Sequence, residues 1–177
     1  MKKLILTSLL VLGASMATFA QSTVINKYFD RFAGDDSYVK VSVSSKMFSL
    51  FTELEAGTDE EKEFLDAVAK LKGMKMIVGD SISGGVALYK EAMADVQKAG
   101  LEELMMVQDA DNQNFQFSIK EKNGIITELM MVSGGQKQFI VMSLFGEIDL
   151  KNISKIARSM NVSGLENLEK LDQSSGN

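Results

Sequence analysis

The pair Asn123-Gly124 restricts the fold of this chain more than any other sequence feature. Both residues tolerate a left-handed backbone, so a two-residue turn here joins neighbouring antiparallel strands. Before the turn, Phe115, Phe117 and Ile119 alternate with polar residues, which indicates a strand with one solvated face. The sequence therefore predicts a β-hairpin centred on this pair.

Two further runs extend the hairpin into a sheet. Residues 125–132 and 139–145 are apolar at most positions, and Gly134-Gly135 separates them. Strands that are apolar on both faces are central strands or strands covered on both sides. With another strand at 104–107, the second half of the chain predicts a four-stranded antiparallel meander.

The part of the chain before the meander has mainly helical periodicity. We predict helices over 22–33, 47–54 and 87–99, and strands over 38–43 and 75–78. Thr58 and Glu61 are spaced as a capping box, and they begin a further helix that ends at Gly73. Gly100 is expected to cap the 87–99 helix. These elements predict an α+β fold, with helices packed on one face of a mostly antiparallel sheet.

One more helix is predicted after the meander. Asp149 is placed to cap it, and Ile148 and Ile153 have the spacing of a hydrophobic staple. Residues 21–172 are then one α+β domain, and residues 173–177 are expected to fray.

The first twenty residues have the features of a removable signal peptide. A lysine pair precedes the apolar run 4–12, and residues 18–20 form a small-x-small cleavage site before Gln21. A second such site ends at Ala17. The run is shorter than the about 20 residues that a membrane span needs, and no later stretch is long and apolar enough to span. We therefore expect a periplasmic or extracellular protein with no membrane insertion after cleavage.

The composition excludes several classes of function. The chain has no His and no Cys, and its net charge is −5. Without Cys there is no lipobox, so a lipoprotein is excluded, and no disulfide stabilises the fold. An acidic chain without a basic stripe is a poor nucleic-acid binder. Catalysis by an imidazole or a thiolate is also excluded.

Three motifs point weakly to chemistry. Residues 79–82 match the nucleophile block of GDSL-type esterases, but no histidine is present to accept the serine proton. Asp109 and Asp111 open a calcium-loop pattern that lacks its later Gly and Glu. Both motifs are interpreted as turns. Glu128, which is expected to face solvent, could join Glu147 and Asp149 in carboxylate chemistry, so a carboxylate-based hydrolase stays an alternative.

Methionine is abundant, with 12 in the chain. Thioethers suit Cu(I), but adjacent methionines on a strand point to opposite faces and do not cluster by themselves. A metal-handling protein with Met or Asp/Asn ligands therefore stays a second alternative. We assign no catalytic residue, no cofactor and no metal ligand.

The two-sided strands of the meander need a cover on each face, since large exposed apolar patches are rare on monomers. The helices can cover one face. For the other face, cover by the first helix of the chain is favoured, and the alternative is a partner-facing surface that would bind an envelope protein or a second copy of the chain. Its residues are Met130, Val132, Ile140, Met142 and Leu144.

Four segments resemble the domain-of-unknown-function family numbered 4252, which consists of exported proteins of Bacteroidota. They are SSKMF at 44–48, EELM at 102–105, IITELMMV at 125–132 and FGEIDL at 145–150. The resemblance implies export and a single domain, and it implies no activity, cofactor or catalytic residue. The expected function is that of an exported, non-catalytic protein that binds an envelope protein or a ligand.

Overall fold

The computed structural model describes residues 23–53, 56–108 and 113–150. Within these ranges the chain forms four helices and six strands. The helices are α1 (Thr23–Arg31), α2 (Ser45–Phe51), α3 (Asp59–Ala69) and α4 (Gly85–Lys98), and the strands are β1 (Tyr38–Ser44), β2 (Leu71–Asp80), β3 (Glu102–Gln108), β4 (Asn114–Lys122), β5 (Ile125–Gly134) and β6 (Gln138–Ile148). The signal peptide, the turn at 109–112 and the helix predicted after Asp149 lie outside the described residues.

The six strands form one antiparallel sheet in the order β1-β2-β6-β5-β4-β3. The α+β class and the four-stranded meander of β3 to β6 are confirmed. Asn123 and Gly124 have φ angles of 55° and 78°, as the predicted two-residue turn requires. In this order β2 lies between β1 and β6. The two end strands of the sheet are β1 and β3.

Helices α1 and α4 cover one face of the sheet, which we call the helical face. Its centre is Phe139, whose ring lies 5.5 Å from the ring of Tyr28 on α1. The Tyr28 hydroxyl donates to the Asp95 carboxylate on α4 at 3.1 Å. Burial and this carboxylate raise the pKa of Tyr28 above its ordinary value. The two helices are thus tied to each other as well as to the sheet.

The opposite face, which we call the second face, carries its own apolar cluster. Its buried residues are Leu71, Phe117, Leu129, Met131, Met142, Leu144 and Ile148. Phe48 of α2 packs against this cluster. The expectation of helices on one face holds for α1 and α4, whereas α2 lies on the other side. The reason is that β6 and β5 are apolar on both faces, so each face needs a cover.

Two local predictions are confirmed in atomic detail. The Thr58 hydroxyl accepts from the Glu61 backbone N–H at 3.2 Å, and the Glu61 carboxylate accepts from the Thr58 N–H at 3.1 Å. Gly100 has a φ of 70°. At that end of α4, the N–H of Leu101 donates to the Val96 carbonyl at 3.3 Å, which is the pattern of a Schellman cap.

Two other predictions are wrong. Helix α3 ends at Ala69, and Gly73 lies inside β2, which pairs with β1 and β6 along most of its ten residues. Hydrogen bonding on both sides extends this strand beyond the predicted 75–78. The polar side of β4 is solvated only at its end, since Gln116 and Ser118 are buried on the helical face and Lys120 is exposed.

Candidate functional site

Most exposed large apolar residues of the described strands lie on the two end strands of the sheet, and the exception is Ile125 at the start of β5. Within the described ranges, β1 pairs only with β2 and β3 only with β4. Val39 on β1 is 62% exposed, and Met106 and Val107 on β3 are 55% and 41% exposed. These three residues could not be predicted from the sequence, because nothing local shows which strand ends a sheet.

The open edge of β3 has the features of a strand-binding site. We define it as residues Glu102–Gln108. Unpaired backbone N–H and C=O groups on an end strand form a template for another strand, and proteins commonly block such edges with Lys or Pro. This edge has neither residue, although its register with β4 shifts between Glu103 and Met105. It begins with Glu102 and Glu103, which are exposed, and continues through four apolar residues. An extended segment with basic residues at one end would complement it.

The edge of β1 is less available. The Lys40 ammonium donates to the Phe32 carbonyl at 2.6 Å, and Tyr38 stacks on the Phe32 ring at 3.8 Å between centroids. These contacts tie the end of α1 and its loop to the first residues of the strand. Of the two open edges, β3 is therefore the better candidate.

The predicted partner-facing surface divides between the two faces. Met130 and Val132 pair across strands with Ser143 and Val141 on the helical face, where both are buried. Ile140, Met142 and Leu144 belong to the second face. The prediction that all five share one surface is wrong. The register places even-numbered residues of β5 opposite odd-numbered residues of β6, so Met130 and Val132 face away from Ile140, Met142 and Leu144.

The three candidate carboxylates do not converge either. Glu147 and Asp149 line a cleft of about 420 Å³ between the end of β6, α3 and the β4–β5 turn. Lys70, also in this cleft, donates to Glu147 at 2.9 Å, and this hydrogen bond raises the pKa of Lys70. Glu128 does not line this cleft; it is buried on the helical face. Its predicted exposure is wrong.

Glu128 instead belongs to a buried polar pair. The Ser143 hydroxyl donates to the Glu128 carboxylate at 2.6 Å. Both side chains are buried, and α1 and α4 cover this face of the sheet. A buried polar group costs free energy unless it is hydrogen-bonded. The hydrogen bond between Ser143 and Glu128 therefore offsets part of the cost of burying both groups. A serine without access to solvent cannot act as a nucleophile on a substrate from solution, so we assign the pair a structural role.

The GDSL-like residues 79–82 span the last two residues of β2 and the turn that follows. Ser81 is exposed with a φ of 57°, and its backbone N–H donates to the Asp80 carboxylate at 3.0 Å. Across the described ranges, no group of three or more Asp, Glu, His or Cys residues could hold a metal ion. The helices in those ranges are also too short or too polar to cross a membrane.

Comparison with known proteins gives one match. The model of the family described as "Domain of unknown function (DUF4252)" matches residues 29–156. No curated protein and no solved structure matches the chain. The matched range includes α2, the cleft, both faces of the sheet and the β3 edge.

Proposed function

The chain belongs to the DUF4252 family, and we propose that it is an exported, non-catalytic protein that binds an envelope protein by strand addition at the β3 edge. The observation that carries the proposal is the exposure of Met106 and Val107 on an end strand without Lys or Pro. An exposed apolar end strand is a template on which another strand can pair.

The non-catalytic part of the proposal is supported by the inventory of reactive groups. The chain has no imidazole and no thiol. The serine hydroxyl that donates to the Glu128 carboxylate, that of Ser143, is buried. Acid–base catalysis needs groups that reach one substrate together. The candidate carboxylates Glu128 and Glu147 lie in different places, so the arrangement favours binding.

Strand addition would use two kinds of contact. The backbone groups of β3 that pair with no other described strand would supply main-chain hydrogen bonds, and side chains on alternate sides of the added strand would supply specificity. Met106 pairs with Gln116 on the helical face, and Val107 pairs with Phe115 on the second face. An added strand would therefore contact apolar side chains on both faces. Glu102 and Glu103 favour Lys or Arg at the neighbouring end of the partner segment.

Export has a direct test. We expect the protein recovered from the cell envelope to begin at Gln21, because residues 18–20 form the better small-x-small site. N-terminal sequencing of the recovered protein gives the answer. As a control, replacing Ala20 by a large residue should move cleavage or leave the precursor uncut. Wild-type protein that keeps residues 4–12 and stays in the cytosol would contradict export.

Binding is tested by placing lysine on the exposed edge. A photo-crosslinking probe is placed at position 108 in living cells. We expect the M106K/V107K variant to give at least tenfold less crosslinked adduct with the envelope protein than the wild type gives. Lysine blocks strand addition by charge and hydration, while its exposed position costs the monomer little. The yield of the crosslinked adduct is the measurement.

The matched control is Val39→Lys on the other end strand, which should leave the adduct unchanged. Equal loss in both variants, or no adduct in the wild type, would argue against the β3 edge. An adduct between two copies of the chain would show that the partner at this edge is a second copy and not an envelope protein.

A further inference from the structure

Three methionines occupy one cross-strand row at the centre of the second face. Met76 on β2 lies directly opposite Met142 on β6. Met142 in turn lies directly opposite Met131 on β5. Phe117 on β4 follows Met131 and separates it from Met105 on β3. Adjacent methionines along a strand cannot form such a group, but the strand order brings these three together.

The spacing of the row allows the three sulfur atoms to meet. Directly opposite residues on neighbouring strands have Cβ atoms roughly 4.5–5.5 Å apart. A methionine side chain is unbranched and has three rotatable bonds. Met76 and Met131 flank Met142, so both thioethers can turn toward the middle one. The geometry thus offers three sulfur ligands to one ion.

The surroundings of the row favour a soft ion over a hard one. Met131 and Met142 are each 7% exposed, and Met76 is half-buried. Along β6, the neighbours of Met142 on this face are Ile140 and Leu144. Hard cations such as Mg²⁺ or Ca²⁺ need several oxygen ligands, which the described apolar residues around the row do not supply. Soft thioethers select Cu(I).

We propose that Met76, Met131 and Met142 form a binding site for one Cu(I) ion. The half-buried Met76 gives the ion its entry, and Phe117 closes the other end of the row. Because the chain contains no Cys or His, thioethers are its only soft side-chain ligands. The site lies on the second face and does not depend on strand addition at the β3 edge.

Competition for Cu(I) tests the site directly. The mature protein is titrated into a solution of Cu(I) bound to a chromophoric chelator, with ascorbate present to keep the copper as Cu(I). We expect one Cu(I) per chain, with X-ray absorption showing sulfur as the ligand atom. M76L, M131L and M142L should each raise the Kd at least tenfold, and the triple variant should not compete. Met→Leu conserves volume and apolarity, and circular dichroism checks that each variant is folded.

Two leucine variants serve as matched controls. Met130 is next to Met131 in the chain but is buried on the helical face, so M130L should keep the wild-type Kd. Met105 is on the second face beyond Phe117, so M105L should keep it too. A wild-type protein that does not compete, or equal weakening by M130L and M131L, would overturn the proposal.

Discussion

The variant Phe139→Ala is expected to lose about 3–5 kcal/mol of the free energy of unfolding. Phe139 is fully buried at the centre of the helical face. Its cross-strand neighbours are Gly79 on β2 and Gly134 on β5. Neither glycine has a side chain that could move into the space, so truncating the ring leaves a cavity. The ring contact with Tyr28 on α1 is lost as well.

Urea denaturation followed by circular dichroism measures this loss. The control is Val39→Ala, an exposed apolar position, which should change the free energy of unfolding by less than about 0.5 kcal/mol. A loss below about 1 kcal/mol for Phe139→Ala would mean that the helical face collapses around the missing ring. That result would contradict the close packing of α1 and α4 on the sheet.

The second large effect is expected at Gly146 near the end of β6. Gly146 has a φ of 138°, in a region that residues with a side chain rarely adopt. A Cβ atom here would lie 2.7 Å from the Leu71 Cα and 2.9 Å from the Lys72 backbone N. All its near neighbours are backbone atoms, so no side chain can swing away. We expect Gly146→Ala to lower the free energy of unfolding by about 3 kcal/mol or more.

The same denaturation measurement tests this prediction, with Gly34→Ala as the matched control. A Cβ at Gly34 would meet no atom within 4 Å, so that variant should be close to wild type. In the Gly146→Ala variant the clash would also disturb the cleft, because the next residue, Glu147, accepts a hydrogen bond from the Lys70 ammonium. If both variants had the same stability, the close approach of β6 to the start of β2 would be wrong.

Much of the fold could be predicted because its signals are local. The capping box of Thr58 and Glu61, the Gly100 cap and the Asn123-Gly124 turn each depend on a few consecutive residues. Alternation along a strand also showed that Met130 and Met131 point to opposite faces, and the structure confirms this. Local periodicity failed for β2, because Leu71 continues the helical pattern of α3 but lies in a strand.

The sites could be predicted only in part. Ile140, Met142 and Leu144 do share the second face, but Met130 and Val132 do not join them. Glu128 is a charged residue of the kind that usually faces solvent on a strand. It is nevertheless buried, and it accepts a hydrogen bond from Ser143. Each error concerns what lies opposite a residue on another strand. Composition and spacing along the chain contain little information about that.

The sequence by itself determined the α+β class, the meander, the Asn123-Gly124 turn, the capping box, the Gly100 cap and the absence of imidazole and thiol groups. Only the tertiary structure decided that β2 lies between β1 and β6, which leaves β3 at an edge and brings Met76, Met142 and Met131 into one row. The physical reason is the range of the interactions. Backbone dihedral preferences and capping hydrogen bonds act over a few residues, whereas strand order depends on burying apolar surface from the whole chain at once.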